Sequence, residues 1–286
     1  MAKKSLTAQF FEAVDKGKGD VEKVAALIDR GVDVNERNAA DLDAKLRGHP
    51  GMTALESALW CTPTNPKLIS LLVNKGADVN LPGSYIFTPA QIATNHAWLS
   101  PNNFKAFKII VSAGARLHAT SDNRYEPALH LAIMNWIMVA GVRAAGEGSI
   151  TGDLARAMKA IDFLIRHGAD VNEPDAKGAT PLHAAVTCGF GNPNAYTITP
   201  SNLKTLVEFL LDKRADPTVK DSAGKTPRDY LRPWIGAELR PVDTLLYEAE
   251  RSKLKPHPDD QGQRELGAKK HPQSIRLTAK TAKLQA

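Results

Sequence analysis

The chain has 286 residues, 43% of them hydrophobic and 24% charged, with a formal net charge of +6, the composition of a folded globular protein. No run of about 18 apolar residues is present to cross a bilayer, and the two cysteines, Cys61 and Cys188, follow no metal-ligand or redox spacing. Met1-Ala2-Lys3-Lys4-Ser5 leads into mixed polar sequence rather than an apolar signal region, so a cytoplasmic protein is expected, with export lacking a cleaved signal left open.

The first predicted element is a helix pair between Phe10 and Arg30, with Phe10, Phe11 and Val14 on one inward face and Val24, Leu27 and Ile28 on the next. Lys16, Lys18, Asp20 and Glu22 keep its exposed parts polar, as a terminal unit with a neighbour on one side requires. Arg30-Gly31-Val32-Asp33-Val34-Asn35 then stops the second helix, glycine entering the left-handed conformation without a Cβ penalty. The stop recurs as Lys75-Gly76-Ala77-Asp78-Val79-Asn80, Ala113-Gly114-Ala115-Arg116 and His167-Gly168-Ala169-Asp170-Val171-Asn172, and in degraded form as Lys213-Arg214-Ala215-Asp216-Pro217.

Between the stops lie helix starts: Met52-Thr53-Ala54-Leu55, Thr88-Pro89-Ala90, Pro127-Ala128-Leu129-His130-Leu131-Ala132, Thr180-Pro181-Leu182-His183 and Thr226-Pro227-Arg228-Asp229. Threonine caps the helix, and proline takes the first position, where no amide donor is needed. Five stops alternate with five starts over roughly residues 5–235.

The stops are spaced 45, 38, 54 and 46 residues apart. The extra residues fall mostly between the two helices of a unit, at 60–66, 98–102, 138–151 and 190–200. In the first interval they fall in the loop 36–51, which mixes Glu36, Arg37, Asp41, Asp43, Lys45 and Arg47. Asn65-Pro66, Ser100-Pro101 and Thr199-Pro200 predict the starts of the following helices. Residues 139–151, with Gly141, Gly146 and Gly148, read as a flexible loop. Trp60, Trp98, Trp136 and Phe190 each end a first helix; they either plug the interfaces between units or line a ligand-facing edge.

Arg214 stands where glycine is expected, at a cost of about 1 kcal/mol if left-handed, which leaves that helix end open to fraying or a different termination. A last helix is predicted from Pro241 to about Arg251, with Val242, Leu245, Leu246 and Ala249 as its buried face. Residues 252–286 hold eight Lys/Arg against three acids, so the preceding chain carries only +1. Polar and poor in aromatics, this tail reads as disordered.

Thr180-Pro181-Leu182-His183-Ala184-Ala185 matches the T-P-L-H-x-A signature of ankyrin repeats, and the alternating stops and starts resemble that family over most of the chain. The resemblance implies an all-α ankyrin-repeat solenoid with short finger hairpins and enlarged inter-helix loops. Residues 1–235 would form about five to six repeats, 236–251 a C-terminal capping helix and 252–286 the basic tail. The spacings exceed that family's repeat of about 33 residues. The resemblance also implies that His130 and His183 are structural, bonding backbone across repeats, and that Asn35, Asn80 and Asn172 are similar to positions hydroxylated in some ankyrin proteins.

No Gly-rich phosphate loop, G-x-S-x-G or H-E-x-x-H occurs, and neither Cys188 nor His49, His96, His118 or His167 has a partner at catalytic or ligand spacing. No catalytic, cofactor-binding or metal-binding residue and no cofactor is expected. The resemblance implies a non-catalytic protein–protein interaction module of adaptor, inhibitor or effector type, using its concave finger and inner-helix surface. Candidate contacts are Tyr85, Asn123, Arg124 and Tyr125 in the fingers, Trp60, Trp98 and Trp136 at the inner-helix ends, and Arg47 in the first finger. A protein partner, no membrane span and a monomer are expected. Alternatively, the tail drives nucleic-acid or acidic-membrane association with the solenoid as scaffold. An enzymatic site in the inserts around Trp98, 139–151 and Phe190 would need converging titratable groups that those stretches do not offer.

Overall fold

The computed structural model describes residues 5–15, 20–38, 51–61, 64–81, 87–118, 126–144, 153–190, 198–234 and 236–254. Among them the chain forms helices α1 (Leu6–Asp15), α2 (Val21–Asp29), α3 (Ala54–Trp60), α4 (Pro66–Asn74), α5 (Pro89–His96) and α6 (Pro101–Ser112). It continues as α7 (Ala128–Ala144), α8 (Leu154–Arg166), α9 (Pro181–Phe190), α10 (Pro200–Asp212), α11 (Pro227–Leu231), a short 3-10 turn (Arg232–Trp234) and α12 (Arg240–Leu254).

Odd-numbered helices pack on odd and even on even. The stack α1, α3, α5, α7, α9, α11 forms an inner layer; α2, α4, α6, α8 and, further on, α10 and α12 form the outer one. Each odd helix also packs on the even helix that follows it, so the unit is a helix hairpin. The apolar pattern explains the layering. On α8 the fully buried residues Ala157, Ala160, Ile161 and Leu164 form one stripe, while Arg156, Lys159, Asp162 and Arg166 lie off it. Inner helices have neighbours on more sides: in α9 every residue from Pro181 to Val186 is buried. One continuous apolar core runs from Phe10 to Leu246.

The stops work as the glycine reasoning requires. Gly31, Gly76, Gly114 and Gly168 have φ between 85° and 98°, and the next amide turns back into the helix, as in Ala169 N–H to Leu164 O at 3.0 Å. Arg214 adopts the same left-handed conformation at φ 70°, and Ala215 N–H reaches Leu210 O at 2.9 Å. The helix end is therefore closed like the others, not frayed. Asn65, Ser100 and Thr199 cap α4, α6 and α10 with proline at the first turn.

Two sequence expectations change. Residues 139–144, expected as loop, continue α7: Val139, Ala140 and Val142 are 0–2% exposed, and Val139 and Ala140 belong to the continuous apolar core. Trp136 consequently lies within α7 and Trp98 in the turn after α5, rather than at helix ends. The last helix starts at Arg240 and packs on α10 and α11, the place of an outer helix in a sixth hairpin. Val242 and Leu246 are buried there, Leu245 and Ala249 half-buried. The Arg228 guanidinium anchors this helix through Asp243, at 2.6 and 3.1 Å. Most of the first finger (39–50), the glycine-rich 145–152 and the tail from 255 lie outside the described residues.

Candidate functional site

Two columns of side chains fix the backbone from repeat to repeat. In the first, Asn35 Nδ2 donates to Gly76 O at 3.0 Å while its Oδ1 accepts from Asp78 N–H at 2.7 Å. Asn80 does the same to Gly114 and Arg116, and Asn172 to Arg214 and Asp216. His118 occupies the corresponding place in the third stop and bonds the Glu173 carboxylate instead, at 2.8 Å.

The second column stands at the third residue after each helix start. His183 Nδ1 accepts from Thr180 N–H at 3.1 Å, which leaves Nε2–H to donate to Lys225 O at 3.0 Å in the next repeat. His130 Nε2 reaches Ala179 O at 2.9 Å, and Gln91 Nε2 reaches Glu126 O at 2.6 Å. These histidines are structural. The fingers are linked as well, through Ser222 N–H to Lys177 O at 3.0 Å.

On this fixed frame the inner layer exposes a strip of unusual composition. Trp60, ending α3, is 37% exposed. Its ring meets Phe87 edge-on at 6.4 Å and His96 of α5 at 5.4 Å. His96 Nδ1–H donates to Leu59 O at 3.1 Å, and burial holds its pKa below the usual imidazole range, so it stays neutral near pH 7. Beside it, Asn135 of α7 donates to Asn95 Oδ1 at 3.3 Å, and its neighbour Met134 is 46% exposed. Trp60, His96, Asn135 and Met134 thus run across three successive inner helices.

Trp98 and Trp136, expected as contacts, are instead 8% and 2% exposed and belong to the core. At those two positions the indoles plug the stack. The Phe190 side chain, Tyr85, Asn123, Arg124, Tyr125 and Arg47 lie outside the described residues. The sequence carries no local signal that makes Phe87 or Met134 a surface contact; the hydrophobic run of α7 reads as core throughout, and only the face left without a neighbour distinguishes Met134. Among the described residues no group of three or more His, Cys, Asp or Glu side chains is placed to hold a metal ion.

Two family models match, ankyrin repeats in many copies over residues 155–195 and the single ankyrin repeat over 177–222. The chain is also 34% identical over 206 residues to ankyrin repeat and SOCS box protein 16 of Mus musculus, covering 66% of this chain and 42% of that protein. The chain belongs to the ankyrin repeat family. A second relative is protein phosphatase 1 regulatory subunit 27 of Mus musculus, 27% identical over 100 residues, covering 35% of this chain and 54% of that one. The ankyrin chain therefore spans about half the length of the curated relatives it matches. A solved ankyrin repeat domain from Acinetobacter baumannii AYE shares its fold, with a TM-score of 0.59 at 23% identity over 84% of this chain and 96% of that one. No described helix of this ankyrin protein is long and apolar enough to cross a membrane.

Proposed function

We propose that this protein is a non-catalytic recognition module of adaptor, inhibitor or effector type, working in the cytoplasm as a monomer and binding one partner protein through its fingers and inner-helix strip. The observation that carries this reading is the exposed Trp60 ring, packed on Phe87 and His96 and followed along the layer by Met134. A large aromatic held edge-on by its neighbours gives up little freedom on binding, and such residues dominate interface energetics. The frame beneath is bonded from repeat to repeat, which keeps the ordering cost of an extended interface low. Arg47, Tyr85, Asn123, Arg124 and Tyr125 are the finger contacts in this reading. The histidines fit no acid–base role here, since His96, His130 and His183 are each committed to a backbone carbonyl. One relative is by name a regulatory subunit of a phosphatase, and control of another protein's activity by binding is consistent with the surface.

The test is affinity capture with the whole chain, beside Trp60→Ala/Met134→Ala, Tyr85→Ala/Tyr125→Ala and a chain ending at residue 254. A stoichiometric protein lost in either double variant and retained by the shortened chain supports the reading. Capture that disappears only with the tail, and fades as salt rises, moves the function to residues 255–286 and to nucleic acid or acidic membrane.

A further inference from the structure

The outer layer bears a second surface of different chemistry. Lys67 of α4 and Lys105 and Lys108 of α6 stand around an open groove of about 1040 Å3, with Leu71, Ile109 and Phe163 contributing its apolar part. Among the described residues no acidic side chain lines the groove, and neither α4 nor α6 contains an Asp or Glu. All three lysines are exposed, and among the described residues none is ion-paired. Nearby carboxylates are already engaged: Asp29 holds Lys75 at 2.6 Å, and Asp162 holds Arg166 at 2.8 Å and Lys213 at 3.2 Å. A cluster of like charges with no counter-charge is relieved by an anionic ligand, and it stands out on a body that carries only +1 before residue 252.

The floor decides which anion. Leu71, Ile109 and Phe163 are half-buried, and Phe163 is fixed by stacking on His167 at 3.9 Å and by Phe107 at 5.6 Å. A recessed apolar floor gains nothing from a phosphate backbone and does not meet a flat bilayer, whereas it buries apolar side chains of an extended peptide. We propose that this groove binds an acidic, apolar-bearing segment of a partner protein, with its carboxylates on Lys67, Lys105 and Lys108 and its apolar side chains on the floor. The site faces away from the inner-helix strip and stands or fails independently of it.

The experiment is fluorescence anisotropy of the full chain with a labelled peptide of alternating Glu and Leu/Phe. Saturable binding is expected that weakens with salt and falls at least tenfold in Lys105→Glu/Lys108→Glu, with a smaller fall in Lys105→Ala/Lys108→Ala. Lys204→Glu, on α10 and outside the groove lining, should leave affinity unchanged, and a Glu/Ser peptide without apolar side chains should bind more weakly. Far-UV circular dichroism confirms that each variant is folded. Absence of saturable binding overturns the proposal, as does equal binding by the double glutamate variant, which would place the peptide on the basic C-terminal residues. Binding of phosphatidylserine vesicles or single-stranded DNA through the same lysines, with the peptide unbound, overturns it too.

Discussion

Asn172 clamps the backbone around Arg214 from the preceding repeat: its amide donates to Arg214 O at 3.2 Å, and its carbonyl accepts from Asp216 N–H at 2.6 Å. Arg214 is the only non-glycine residue with positive φ among the described residues, and it holds the conformation that glycine takes in the other four stops. The clamp and the helix-end bonds together oppose the Cβ penalty. Arg214→Gly should relieve it and stabilise the protein by about 1 kcal/mol, raising the thermal midpoint by roughly 2–4 °C. Thermal unfolding by circular dichroism checks this; an unchanged or lower midpoint contradicts it.

Asn172→Ala removes both arms of the clamp and leaves the Arg214 carbonyl and Asp216 amide to water. A loss of about 1–2 kcal/mol is expected for two hydrogen bonds, one exposed and one partly buried, together with faster amide exchange at residues 214–216. Exchange that stays at the wild-type rate would mean that the helix end holds itself.

Glu56 occupies the position at which Gln91, His130 and His183 donate across repeats, yet a carboxylate has no proton to give. Its Oε2 accepts from Thr53 N–H at 2.8 Å, while Oε1 is buried with no hydrogen-bond partner among the described residues. Burial raises its pKa, against the lowering effect of Thr53 and Arg37. A carboxyl with a raised folded pKa binds its proton more tightly when folded. Stability is therefore lost as pH rises from the ordinary carboxylate value through the folded one, and the cost persists at pH 7. Glu56→Gln should raise stability at pH 7 by roughly 1 kcal/mol. The gain should shrink toward acid pH, as chemical denaturation at pH 4 and pH 7 would read out. A gain independent of pH contradicts this.

Asp15 closes α1 with its Oδ2 buried and, among the described residues, without a hydrogen-bond partner, and burial pushes its carboxyl up to about 6. By the same sign its ionisation costs stability between about pH 4 and 6 and above. Asp15→Asn is expected to be more stable than the parent at pH 7, with the difference closing as pH falls through that window. Parallel stability curves for the two proteins across it would contradict this.

The repeat frame was legible because its signals are local: a glycine stop, a threonine cap and a proline in the first turn act within a few residues of chain. What depended on stacking was not. Residues 139–144 read as loop through Gly141, but Val139 and Ala140 pack into the core of the assembled stack. Trp60, Trp98 and Trp136 look equivalent in sequence, yet only Trp60 remains at the surface. Arg214 was recognisable as a misplaced glycine, whereas its clamp lies one repeat earlier. Lys67 and Lys105 are 38 residues apart, the same interval as Gly76 to Gly114. That register brings them to one groove when α4 stacks on α6, a meeting no composition window reveals.

Recognition through the inner face should leave a footprint in backbone amide exchange. Hydrogen–deuterium exchange of the chain alone and saturated with its captured partner tests this directly. New protection is predicted around Trp60 and Phe87, on α5 and α7 near His96 and Met134, and in the fingers. Protection confined to the outer helices or to residues 255–286, with the inner strip unchanged, would contradict it.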